Sequence, residues 1–140
     1  MASGSDFIPP PRDRTVGFID CGDLGQAILK GIIRKSILNP QDSNSWAKAT
    51  YIASVPSEKS AQELRQAIAA DPGTNGSISL EVLHNQNSQV ANRSEIVILA
   101  SPEGTAEAIL KGPGMTDALK GKYLISLVAG ATIAQMTTAL

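Results

Sequence analysis

TVGFIDCGDLGQAILKGII, residues 15–33, decides the fold of this chain. It opens with a short apolar run in which Val16, Phe18 and Ile19 suit a buried parallel strand. Gly22 and Gly25 then punctuate a turn, and Leu24, Ile28, Ile32 and Ile33 recur at helical spacing. Strand, glycine turn and helix in that order form the opening of a dinucleotide-binding unit. The helix N-terminus of such a unit offers free N–H groups and a positive dipole to a pyrophosphate.

The glycine pattern G-x-G-x-x-G falls on positions 20, 22 and 25, and position 20 holds Asp20. The first glycine ordinarily allows the tight turn out of the strand. An aspartate there adds a side chain, and it adds negative charge beside the place a pyrophosphate would occupy. Two unit charges about 5 Å apart at an effective dielectric of about 20 repel by roughly 3 kcal/mol. That is a cost of about two orders of magnitude in affinity unless the loop re-routes or a cation intervenes.

The rest of the chain extends the same theme. Residues 1–14, MASGSDFIPPPRDR, are rich in Pro, Ser and Gly and read as a disordered tail before a domain over 15–140. After the first helix, Asn39 to Thr50 reads as a polar surface loop in which Trp46 is a packing plug. Tyr51 to Val55 is the second strand. Pro56-Ser57 opens a helix to about Ala70 with Ser57 as N-cap, and Asp71-Pro72-Gly73 stops it. Leu80 to Leu83 is a third strand, followed by a brief helix to Arg93. Ile96 to Ala100 is a fully apolar fourth strand. Short helices follow over Gly104 to Leu110 and Met115 to Leu119, separated by Gly112-Pro113-Gly114. Tyr123 to Val128 is a fifth strand, Ala129-Gly130 a turn, and Thr132 caps a last helix. Alternating strands and helices predict an α/β doubly wound parallel sheet, Rossmann-like, ordered 3-2-1-4-5, with any ligand at the carboxyl ends of the strands.

Composition narrows the function. The 140 residues carry a formal net charge of -1, and aromatic residues make up 4%. Nothing here calls for nucleic acid or an anionic membrane surface, and no aromatic platform exists for stacking bases. Cys21 is the single cysteine, so the chain has neither an internal disulfide nor a cysteine-based metal site. No apolar run reaches the roughly 18 residues of a membrane span, and the start lacks the pattern of a secretory signal. The expectation is a soluble cytoplasmic protein.

GFIDCGDLGQAILKGI, the strand IVILA, and GPGMTDALKGKYLISLVAGATIAQM, at these spacings, resemble the N-terminal half of pyrroline-5-carboxylate reductase over Thr15 to Leu140. The strand running into Ala-Gly-x-Thr-Ile is the most specific part. That family reduces the C=N bond of pyrroline-5-carboxylate with NAD(P)H in the last step of proline synthesis. It joins an N-terminal Rossmann domain to a C-terminal helical dimerisation domain.

The resemblance implies a cofactor site. Cys21, Gly22, Asp23, Leu24 and Gly25 would hold the pyrophosphate, and Ser54, Val55 and Ser57 would read the adenosine ribose and its phosphate. Asn87 would touch the cofactor at the start of the third helix. Ala100, Ser101 and Pro102 would lie near the nicotinamide, and Ala129 and Gly130 near nicotinamide and substrate. No Asp or Glu ends the second strand to hold a free 2′-hydroxyl, so NADP is expected over NAD, and Lys59 adds charge for a 2′-phosphate.

The chain departs from the family's pattern at Asp20, at Ser101-Pro102-Glu103 where the family has Lys-Pro, and at Pro56-Ser57 where it often has Arg. The helical domain that supplies the family's substrate residues has no counterpart in these residues. No catalytic residue is therefore named, and the chain reads as a truncated relative.

Single residues have plainer roles. Cys21 is a small filler of a tight turn rather than a redox centre. His84 is a solvent-facing strand end, with no carboxylate partner placed by spacing. Ser101 lacks the base or elbow of a nucleophile. Glu58, Lys59, Glu63 and Arg65 form the solvated face of the second helix.

Two functions follow. One is NAD(P)H-dependent reduction of a small cyclic imine, in proline synthesis or a related specialised pathway. The other is an inactive homologue that binds nucleotide weakly or works through protein contacts. The terminal helix, with Ile133, Met136 and Leu140, is the expected surface for self-association or a partner protein.

Overall fold

The computed structural model describes residues 15–38, 49–71, 79–102, 104–127 and 133–139. The expected tail, the loop carrying Trp46, Glu103, the Ala129-Gly130 turn, Thr132 and Leu140 lie outside the described residues.

Five strands form one sheet: β1 (Thr15–Ile19), β2 (Thr50–Val55), β3 (Leu80–His84), β4 (Ile96–Leu99) and β5 (Tyr123–Ser126). Their order is β3-β2-β1-β4-β5 and every pairing is parallel, as the alternation predicts. The helices are α1 (Asp23–Leu38), α2 (Glu58–Ala69), α3 (Asn87–Arg93), α4 (Ala106–Leu110), α5 (Met115–Ala118) and α6 (Ile133–Ala139). Strand order reverses between β1, which leads back to β2, and β4, so the carboxyl ends of β1 and β4 bound the crevice where such folds bind ligands.

Side chains alternate across the sheet and build a core on each face. Val16, Phe18, Tyr51, Ala53, Ile96 and Ile98 pack with Leu29 and Ile33 of α1 and with Leu64 of α2. Ile19, Ile52, Val97 and Leu99 pack on the other side with Val90, Leu110 and Met115. Gly17 lies on this second face because nothing larger fits. A Cβ there would stand 2.2 Å from Ser94 Oγ, and that hydroxyl donates to the carbonyl of Val90 at 2.7 Å.

Helix ends follow the local chemistry. Ser57 caps α2, its Oγ accepting from the Ser60 N–H at 3.1 Å. The helix after β4 begins at Ala106 rather than Gly104, because Gly104 is left-handed at φ 84 and Thr105 bonds back to the Pro102 carbonyl. α1 is tied to the end of α2 by Arg34, whose Nη2 lies 2.7 Å from Oδ2 of the buried Asp71. In α6, Met136 packs against the second core. That part of the apolar face expected to meet a partner is turned inward.

Candidate functional site

The turn between β1 and α1 is built backbone first. Asp20 leaves the strand left-handed at φ 57, one of two non-glycine residues with positive φ among those described. Aspartate tolerates this region better than most residues, because its short side chain bonds locally. The Cys21 N–H then donates to the Ser54 carbonyl at 3.0 Å, fastening the turn to β2. Gln26 N–H donates to the Gly22 carbonyl at 2.8 Å as α1 begins. The N–H groups of the first turn, at Asp23, Leu24 and Gly25, have no acceptor within the helix.

The two glycines that are present do different work. A Cβ on Gly25 would stand 3.0 Å from Cys21 Sγ and 3.2 Å from the Ala100 Cβ. Glycine there lets α1 close onto the ends of β1 and β4. A Cβ on Gly22 would meet nothing within 4 Å, so that position faces open space at the helix N-terminus. Close packing at the third glycine and open approach at the second are the roles the dinucleotide pattern assigns to them.

Burial sets the electrostatics of the turn. Desolvation raises the Asp20 carboxyl above its ordinary value of 3.8. Cys21 is pushed up to about 12, first by burial and then by the neighbouring Asp20 charge. A thiol so far from ionisation at neutral pH is a packing residue, as its place in the turn suggests.

The residues expected around the ribose divide. Ser54 is fully buried, and its Oγ accepts from the Gln86 N–H at 3.2 Å, while the Val55 carbonyl accepts from Asn85 N–H at 2.7 Å. These two frame the site from within, and their side chains are turned into the protein. Ser57 is exposed at the start of α2. Asn87 is half-buried at the first position of α3.

At the β4 end, Ala100 is buried and its N–H donates to the Ile19 carbonyl at 3.2 Å. Ser101 follows with 6% exposure, and its buried hydroxyl has no hydrogen-bond partner among the described residues. A buried hydroxyl left unpaired costs about 1–3 kcal/mol. Pro102 is exposed. The positions of Ala129 and Gly130 lie outside the described residues.

One expectation is corrected. His84 does have a carboxylate partner: its Nδ1 lies 2.8 Å from Glu58 Oε2. The two residues sit on different elements, so no spacing rule could join them. Glu58 and Arg65 lie on the solvated face expected of them, and they pair with one another there at 3.2 Å.

Among the described residues, no group of three or more His, Cys, Asp or Glu could hold a metal, and no helix is long and apolar enough to cross a membrane.

The fold and its glycine turn define the class of doubly wound, Rossmann-like domains. Within that class, residues 15–130 match the family described as NADP oxidoreductase, coenzyme F420-dependent, and the chain belongs to that family. It is similar to a pyrroline-5-carboxylate reductase of Lophium arboricola, 32% identical over 131 residues, covering 87% of this chain and 39% of that protein. A delta-1-pyrroline-5-carboxylate reductase of Curvularia clavata is 30% identical, covering 85% of this chain and 37% of the relative. The chain thus spans about two fifths of the length of these curated relatives. Among solved structures, the Plasmodium falciparum pyrroline carboxylate reductase with NADP bound superposes with a TM-score of 0.59 at 19% identity, over 91% of this chain and 38% of that one. The Coxiella burnetii pyrroline-5-carboxylate reductase gives 0.60 at 18% identity, over 91% and 40%. The resemblance carried by the glycine turn and the Ala-Gly-x-Thr-Ile segment therefore stands, and these solved structures share the fold.

Proposed function

We propose that this chain binds a nicotinamide dinucleotide for a pyrroline-5-carboxylate reductase-like oxidoreductase acting on a small cyclic imine. The observation that carries the reading is the open approach at Gly22, set at the N-terminus of a sixteen-residue helix beside the β1–β4 crevice. Family membership and the relatives' names support the same class. The reduced coenzyme would supply the hydride for the imine carbon. The chain's own part is to bind and orient: first-turn N–H groups of α1 toward the pyrophosphate, Ser57 toward the ribose, and the Ser101 hydroxyl toward the second half of the dinucleotide.

A second reading, weak binding without turnover, is favoured by one observation. The half-buried Asp20 carboxyl sits at the same turn and opposes an anion there.

Calorimetric titration with NADPH tests the proposal, using the wild type and Gly22→Ala. Alanine at position 22 meets no neighbour and needs no left-handed backbone, so the fold is expected to melt unchanged. Wild-type binding that weakens at least tenfold in Gly22→Ala is the expected result. Equal binding by both proteins would move the ligand away from this turn. Absence of binding by the wild type and by Asp20→Gly would overturn the reading.

A further inference from the structure

The face of the sheet that carries α1 and α2 is covered unevenly. Gly25, Leu29 and Ile33 of α1 are buried against it. Each helical residue turns by about 100°, so positions 24, 28 and 32 lie on one flank of α1 and positions 26, 30 and 34 on the other. Arg34 reaches Asp71 at the end of α2, which assigns its flank to the β2 side. Leu24, Ile28 and Ile32 therefore line the flank toward β4 and β5. Ile28 and Ile32 meet the first core in part, and Leu24 is 51% exposed.

β5 ends the sheet on this side. Its side chains alternate: Leu124 packs against the second core and Leu127 against the first, which puts Tyr123 and Ile125 on the α1 face with Leu127. Tyr123 and Ile125 are 41% and 47% exposed, whereas every side chain of the neighbouring β4 is buried. Among the described residues, α3 to α6 contribute to the second core, so no helix covers β5 on the α1 face. α1 runs back against the strand direction, bringing Leu24 level with Leu127 and Ile32 level with Tyr123. One helix flank and one strand edge thus form a continuous apolar strip.

The strip is complementary to itself. The exposed Asp23 stands at one end of the α1 flank and the exposed Lys35 at the other. A two-fold contact sets one patch against the same patch reversed. Antiparallel α1 helices would then bring Asp23 of each copy to Lys35 of the other, with Ile28 of both near the axis. Ala27 and Gly31 lie exposed beside Ile28, and a Cβ on Gly31 would meet nothing within 4 Å, so a second helix has room to approach. A formal net charge of -1 leaves little repulsion between two copies.

We propose that two copies of this chain pair through this strip, the α1 of each lying antiparallel beside the other's and covering the other's Tyr123 and Ile125. This relocates the self-association expected of the terminal helix, whose Met136 packs against the second core. It is independent of the dinucleotide reading, since no ligand enters it.

Sedimentation velocity on the full chain without ligand, from micromolar to near-millimolar concentration, tests this. The wild type should pass from monomer to dimer and stop there, because a two-fold contact closes on itself. Ile125→Glu puts a charge into the contact and should weaken dimerisation by about tenfold or more, with the wild-type circular dichroism spectrum. Lys35→Glu turns two opposite-charge pairs into two like-charge pairs and should weaken it about fivefold. Adding Asp23→Lys to Lys35→Glu should restore dimerisation, a rescue that loss of packing would not give. Both of these positions are exposed, so the pair keeps the test open should Ile125→Glu misfold. A wild type that stays monomeric, oligomers that grow beyond the dimer, or a dimer indifferent to a folded Ile125→Glu would overturn the proposal. So would a double reversal that fails to restore what Lys35→Glu removes.

Discussion

Replacing Asp20 separates two costs that the β1–α1 turn carries together. One is backbone: a non-glycine residue at φ 57 costs on the order of 1 kcal/mol, at the low end for aspartate. The other is charge, since a carboxylate about 5 Å from a pyrophosphate at an effective dielectric of about 20 is repelled by roughly 3 kcal/mol. Asp20→Gly relieves both, and Asp20→Asn relieves only the charge because asparagine tolerates the same left-handed backbone. Both variants are therefore expected to bind NADH about a hundredfold more tightly than the wild type. Their melting temperatures should stay within a few degrees of it, because glycine's freedom in the unfolded chain offsets what its backbone gains.

NADH is the ligand of choice, since it brings no 2′-phosphate to titrate. The pH dependence follows from the direction of the shift. Burial raises the Asp20 carboxyl above 3.8, so the folded protein holds this proton at pH values where the unfolded chain has released it. Unfolding then releases a proton, and stability falls as pH rises through the window above 3.8. Affinity for the pyrophosphate falls over the same window as the carboxylate forms. In Asp20→Asn both curves should lose this component. Calorimetry and thermal unfolding, run in parallel from pH 4 to 8, read both. A gain in Asp20→Gly with none in Asp20→Asn would refute the electrostatic argument and leave the backbone as the cause.

Three other predictions rest on packing. Gly17→Ala would drive a Cβ to 2.2 Å from Ser94 Oγ and 2.8 Å from Val90 Cγ1, and should destabilise the fold by about 2–3 kcal/mol in chemical denaturation; an unchanged midpoint would refute this. Ser101→Ala removes a buried hydroxyl that has no partner among the described residues, so the ligand-free protein should gain about 1 kcal/mol while dinucleotide affinity falls. A loss of stability there would mean the hydroxyl is already satisfied. Cys21, with its thiol pushed up to about 12, should resist alkylation at pH 8 until the protein is unfolded, and rapid labelling of the native state would contradict its burial.

The fold was legible because its signals are local. The apolar runs at Val16–Ile19 and Ile96–Leu99 span a few residues each, and the helices between them announce themselves by spacing and by caps such as Ser57. Strand order followed from the alternation of strands and helices, which points to a doubly wound parallel sheet. Most boundaries moved by a residue or two, and at the start of α4 the shift has a cause in the left-handed Gly104 and the Thr105 bond to the Pro102 carbonyl.

The candidate site was legible only in part, because its properties come from residues distant in sequence. Ser54 sits where a ribose contact is expected, yet its hydroxyl is claimed by Gln86 from the next strand's loop. His84 has no partner by spacing, yet β2 and β3 in register bring it to Glu58. Asp20 can be read in sequence as a lost glycine, while the structure shows the aspartate itself taking a left-handed backbone at φ 57. If the turn takes a pyrophosphate as proposed, the protonation of this carboxylate is expected to set the affinity. This is why Asp20→Asn, rather than a change of backbone, is the substitution that decides between binding and its loss.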